Sequence, residues 1–206
     1  LVSLASLFAG MVDSIVGGGG LILIPALFAT FPTAPPATLV GTNKSAAIWG
    51  TAFATYQFSK KVELRWAALF PAAAAGLLGS LCGAWTVTQV DPSFLRKALP
   101  FLLFALLIYT VAKKNMGQQH EPKFQGKKEA VVAASIGMLI GFYDGFFGPG
   151  TGSLFALLMI SGLGLSLRDA TIHAKLFNAM TNFAAFLLFV TSDLVNWSAV
   201  AVMIPA

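Results

Sequence analysis

Charge is scarce in this chain. Of 206 residues only 10% are Asp, Glu, Lys or Arg, where a soluble domain carries roughly 25%. With 57% hydrophobic residues and a mean hydropathy of +0.79, that shortfall excludes an ordinary water-soluble domain. Cysteine is nearly absent: Cys82 stands alone, which excludes an intrachain disulfide and any cysteine-built metal centre. Histidine is limited to His120 and His173. With two histidines there is no metal cluster and no convincing triad, so neither an enzyme nor a cofactor is expected. The first residues hold no basic stretch, and Asp13 interrupts the apolar run, so a cleaved signal peptide is not expected. The chain opens without Met and stops at Ala206 inside an apolar segment; it reads as a partial chain.

What remains is apolar sequence in long runs. A bilayer core needs about 20 apolar residues per helix. Candidate segments are 1–29, 36–58, 66–88, 94–112, 129–160, 166–190 and 195–206, the last cut short. An all-α polytopic membrane protein is the predicted fold class. The net charge of +5 is then read loop by loop and not as affinity for nucleic acid. The stretch 113–128 is polar, basic and the longest linker. It predicts two halves, 1–112 and 129–206.

The halves repeat each other. Shifting the sequence by 131 positions places Gly10 on Gly141, Asp13 on Asp144, Gly17 on Gly148 and Gly19 on Gly150. The same shift places Lys44 on Lys175, Phe58 on Phe189 and Trp66 on Trp197. Leucine matches are expected by chance here; matches of Asp, Lys and Trp are not, because these residues are rare. The second copy breaks off early, with about one and a half helices missing.

Basic loops set the orientation. Lys60, Lys61 and Arg65 lie in one loop, and Lys113, Lys114, Lys123, Lys127 and Lys128 in another. Two helices separate them, so both loops are expected on the cytoplasmic side. The counterpart of the first loop, 190–196, has no Lys or Arg. This contrast predicts two inverted-topology repeats, a recurring transporter architecture. Inversion needs an odd number of crossings per copy, yet each copy has four apolar segments. The first of each is the natural exception, because "DSIVGGGGL" and "DGFFGPGTGS" are rich in residues that break helices. Each is predicted to be a broken re-entrant hairpin, followed by three transmembrane helices. A spanning helix with a kink is the plainer alternative.

Four ionisable residues fall inside predicted segments: Asp13, Lys44, Asp144 and Lys175. Charge at the bilayer centre costs about 2.5–3.5 kcal/mol, so it is paired or functional. One reading is two Asp–Lys bridges, each pinning a hairpin to its following helix. The other is a cavity where Lys44 and Lys175 bind an anion. The two are compatible, with Asp13 and Asp144 as charge partners. Lys175, Asn178 and Asn182 share one helical face; the matching face holds Lys44, Ala47 and Thr51, with Thr42 and Asn43 nearby. Amide and hydroxyl donors beside lysine suit an oxyanion. Gly17, Gly19, Gly148 and Gly150 would let backbone approach the substrate. His173, opposite Thr42, is a candidate donor or proton-coupling group, or equally a structural histidine.

The stretches "GGGGLILIPAL" (17–27), "GTNKSA" (41–46), "GFYDGFFGPGTGS" (141–153) and "AKLFNAMTN" (174–182) resemble the TauE/SafE sulfite exporter family, also called the toluene-sulfonate uptake permeases. The resemblance covers nearly the whole chain. It implies a multi-pass, prokaryotic-type plasma-membrane carrier of two inverted lobes whose first and fifth segments fold back. Members are associated with export of sulfite or organosulfonates such as sulfoacetate, and some with uptake. The chain departs by stopping early, which leaves site residues of the last helices out of view. The expected function is a secondary transporter, an exporter of a small sulfur-containing anion, working by alternating access; an anion channel is the rival. The expected partners are that anion and the lipid bilayer, and a homodimer is compatible. A phosphate-cradling loop is rejected, since no Gly-Lys-Ser/Thr follows either glycine run.

Overall fold

The computed structural model describes residues 1–16, 18–59, 66–112 and 123–204. Gly17, Lys60, Lys61, Arg65, Lys113, Lys114 and His120 lie outside the described residues, and with them most of the basic residues used for orientation. Among the described residues the structure is helical throughout. The order is α1 (Val2–Val16), α2 (Gly20–Thr30), α3 (Pro36–Ser59), α4 (Trp66–Gln89), α5 (Pro92–Ala112), α6 (Lys127–Phe146), α7 (Thr151–Leu158), a π-helical turn (Met159–Leu163), α8 (Leu167–Thr191) and α9 (Trp197–Met203).

Both long apolar segments with glycine runs are broken where expected. Segment 1–29 divides into α1 and α2, and segment 129–160 into α6 and α7. Each pair of helices packs together across its break. Lys127 and Lys128, expected in the linker, instead open α6. The helix extends back to Gly126, whose φ of 60° lies in the left-handed region and ends it there.

The polarity of the fold is that of a membrane protein. Phe101, Phe104, Trp85 and Phe53 are exposed, whereas Lys44 and Asp144 are buried. Large apolar side chains outside and charges inside are what a hydrocarbon surround selects. Among the described residues, three helical stretches are long and apolar enough to cross a membrane: Phe70–Gln89, Lys127–Phe146 and Leu167–Thr191.

The tightest helix pair is α4 with α6. Gly137, Gly141 and Gly145 follow one another at four-residue spacing on α6 and face Ala72, Gly76 and Ser80 of α4. In return, Gly79 and Gly83 of α4 face Met138 and Phe142 of α6. A Cβ on Gly145 would stand 2.8 Å from the Ala84 nitrogen, and one on Gly83 2.8 Å from the Phe146 nitrogen. Only glycine lets two backbones approach this closely, and close approach is the main source of helix adhesion in lipid. The crossing fixes α6, and therefore the break at its end. Next to it, Phe155 stacks on Phe177 at 5.5 Å in the cluster that joins α4, α6, α7 and α8.

Helices α3 and α8 carry the two lysines and pack against each other. The Thr55 hydroxyl donates to the Lys175 carbonyl at 3.2 Å. From α4, the Ser80 hydroxyl donates to the Thr181 carbonyl of α8 at 2.6 Å.

Candidate functional site

The two helix breaks meet in the middle of the fold. A Cβ on Gly20 would lie 3.2 Å from the Pro149 Cα and 3.4 Å from the Gly148 carbonyl oxygen. Gly148 and Gly150 have φ of 90° and 71°, a conformation that side chains other than glycine resist. The Tyr143 hydroxyl donates to the Pro149 carbonyl at 2.6 Å, and the Thr151 hydroxyl to the Gly148 carbonyl at 2.7 Å. The second break is thus tied down at both ends. In the first, the Gly19 N–H donates to Asp13 Oδ1 at 3.0 Å.

A cavity of about 480 Å³ opens at this junction. Its wall includes Asp13, Gly19, Gly20, Asn43, Lys44, Thr51, Asp144, Gly148, Gly150, Asn178 and Asn182. Most residues singled out in the sequence therefore converge on one space. Lys44 comes from α3, Asp144 from the end of α6, and the asparagines from α8.

The charges do not pair as expected. Neither aspartate bridges the lysine of its own half. Lys44 Nζ lies 2.6 Å from Asp144 Oδ1, with both side chains 1% exposed. Lys175 Nζ donates to the Asp13 backbone carbonyl at 2.9 Å. Each lysine reaches across to the other break. The two breaks touch at Gly20 and Pro149 and α3 packs on α8, which brings each lysine within reach of the opposite break. Apart from the Lys44 ammonium, the Asp144 oxygens have no hydrogen-bond donor among the described residues, and Asn43 Oδ1 has none.

Three expected site residues sit elsewhere. The Thr42 hydroxyl donates to the Thr38 carbonyl at 2.6 Å and accepts from the Asn196 N–H at 2.9 Å. It ties α3 to the start of α9 and does not line the cavity. His173 Nδ1 pairs with the Asp169 carbonyl at 2.6 Å and does not line the cavity. Lys175 lines a small adjoining cleft of about 20 Å³ that shares Asp13, Thr51 and Asn178 with the cavity wall. That is room for about one water. Asn178 and Asn182 do share a face, and the Asn182 amide donates to Asn178 Oδ1 at 3.1 Å. Thr51 faces the cavity, yet its hydroxyl donates back to the Ala47 carbonyl at 3.0 Å.

Sequence reasoning passed over Gly20, Gln57, Tyr143 and Thr151. Gly20, Gln57 and Thr151 line the cavity, and Tyr143 holds Pro149. The spacing Gly137, Gly141, Gly145 was a legible signal of the α4–α6 crossing that positions Asp144. Among the described residues, no group of His, Cys, Asp and Glu could hold a metal.

A family model described as "Sulfite exporter TauE/SafE" matches residues 2–206. The chain belongs to the TauE/SafE family. A relative from Haemophilus influenzae, named "Probable membrane transporter protein", is 38% identical over 199 residues, covering 95% of this chain and 75% of the relative. "Probable membrane transporter protein YfcA" of Escherichia coli K12 is 37% identical over 200 residues, covering 97% and 72%. "Probable membrane transporter protein ORF9" of a Sinorhizobium species is 37% identical over 195 residues, covering 94% and 72%. No solved structure matches the chain. In this TauE/SafE protein, Asn43, Lys44, Thr51, Asp144, Asn178 and Asn182 line one cavity at the junction of the broken helices.

Proposed function

We propose that this chain is a secondary transporter that exports a small sulfur-containing anion, sulfite or an organosulfonate, across a plasma membrane by alternating access. The observation that carries the reading is Lys44, buried in the wall of a cavity of about 480 Å³ between two helix breaks. A buried ammonium beside the amides of Asn43, Asn178 and Asn182 suits an oxyanion, which needs charge and several donors at once. The sulfur-anion class comes from the family description. Residues 1–112 and 129–206 act as inverted lobes joined by 113–128, the breaks being the tips of re-entrant hairpins. Lys44 and Lys175 then reach the centre from opposite lobes, and rocking of the lobes alternates access.

The test is counterflow in proteoliposomes. Sulfite or sulfoacetate flux should saturate, and Lys44→Gln should lower it at least tenfold while the variant stays folded. Full flux in Lys44→Gln would remove the lysine from the mechanism. Unitary currents in place of saturable exchange would make the protein a channel.

A further inference from the structure

The charges around the cavity cancel. Lys44 is closed by Asp144 at 2.6 Å, and Lys175 donates to the carbonyl of Asp13. Two lysines face two aspartates, so this set holds no surplus positive charge to offer an anion. An anion that takes Lys44 leaves Asp144 without its cation in a buried place. An uncompensated buried charge is costly, and a nearby like charge adds to the cost. Taking up one proton removes the cost.

We propose that Asp144 is a proton site coupled to the anion: as the anion displaces it from Lys44, its carboxylate accepts one proton from water, and anion and proton cross together. This rests on the transport reading above and adds the coupling ion to it.

The geometry separates Asp144 from the other candidates. Asp13 Oδ1 already accepts the Gly19 N–H at 3.0 Å. Apart from the Lys44 ammonium at 2.6 Å, Asp144 has no hydrogen-bond donor among the described residues, so Lys44 is its compensation. Among the described residues no second donor reaches it. From α1 comes Asp13, and from α8 come Lys175, held by the Asp13 carbonyl, and His173, bound to Asp169. Helices α4 and α7 and the π-helical turn contain no Asp, Glu, Lys, Arg, His or Tyr, and Cys82 of α4 is exposed. On α6 itself, the hydroxyl of Tyr143 is engaged by Pro149.

Calorimetric titration of the purified protein, in two buffers of different protonation heat, counts the protons. The probes are methanesulfonate, benzenesulfonate and thiosulfate, which stay fully ionised near neutral pH. Wild type should take up about one proton per anion, with affinity falling about tenfold per pH unit above neutrality. Asp144→Asn should abolish the uptake and flatten the pH dependence; Asp13→Asn should retain both. Binding without uptake by wild type would overturn the inference and leave the transport reading standing. Uptake lost in Asp13→Asn but kept in Asp144→Asn would also overturn it. If Asp144→Asn does not fold, the wild-type and Asp13→Asn heats decide. Binding of none of the probes, nor of sulfite, would overturn the transport reading and the inference together.

Discussion

Lys44 of α3 pairs with Asp144 of α6 at 2.6 Å, both out of reach of solvent. The pair joins the helix that follows the first broken pair, α3, to the helix that precedes the second break, α6. It is therefore a strap across the centre of the fold as well as a candidate binding element.

The strap predicts a pattern of rescue. Removing one partner of a buried pair costs about 3–5 kcal/mol, because the other charge is left alone. Lys44→Gln and Asp144→Asn should each lower thermal stability in detergent, and the double variant should recover most of the loss. Lys44→Gln with Asp13→Asn should not recover. Rescue by Asp13→Asn in place of Asp144→Asn would restore the local pairing read from the sequence.

The glycine crossing predicts where a single methyl is harmful. At Gly145 a Cβ would sit 2.8 Å from the Ala84 nitrogen and 2.8 Å from the Ser80 carbonyl carbon, both backbone atoms that cannot rotate away. Gly145→Ala should separate α4 from α6, at a cost of several kcal/mol. Gly50→Ala is the control, since a Cβ there meets nothing within 4 Å. It should be neutral or add up to about 1 kcal/mol, by helix propensity. Equal melting shifts for the two would argue against the crossing.

Gly148 joins conformation to chemistry. Its φ is 90°, and a Cβ would lie 2.8 Å from Lys44 Nζ. Gly148→Ala should cost about 1–3 kcal/mol in strain and also displace the ammonium. Flux per folded molecule should fall along with stability. A variant that loses stability but keeps its KM for the anion would separate the glycine from the site.

One exposed carboxylate predicts a pH effect outside the membrane. Asp91 Oδ1 accepts from the Ser93 hydroxyl at 2.5 Å, from its N–H at 2.8 Å and from the Phe94 N–H at 3.3 Å. These bonds, the Ser93 hydroxyl first, hold its carboxyl below the usual carboxylate range. The folded state thus favours the ionised form. Its contribution is complete above the unfolded value near 3.9 and is lost as pH falls through the lower, folded value. Asp91→Asn should flatten the acid limb of the stability profile below about pH 4. An unchanged limb would mean the cap at α5 contributes nothing measurable.

Much of this was legible one residue at a time. Asp13, Lys44, Asp144 and Lys175 stood out because charge is expensive in lipid, and the break positions followed from Gly and Pro. Thr42 and His173 each stand two residues before a lysine, yet the Thr42 hydroxyl meets the Asn196 N–H across the fold and His173 Nδ1 meets the Asp169 carbonyl one turn back on its own helix. Neighbours along a helix point about 100° apart, so proximity in sequence says little about facing.

The amino-acid sequence by itself determined most of the helical segments, where they break and that Lys44, Asp144 and Lys175 are buried, because those follow from local propensity and the cost of leaving water; the burial of Glu129 was not legible there. Only the tertiary structure decided which aspartate meets which lysine. That choice depends on the contact between Gly20 and Pro149 and on the packing of α3 against α8, relations between distant segments that no local pattern encodes.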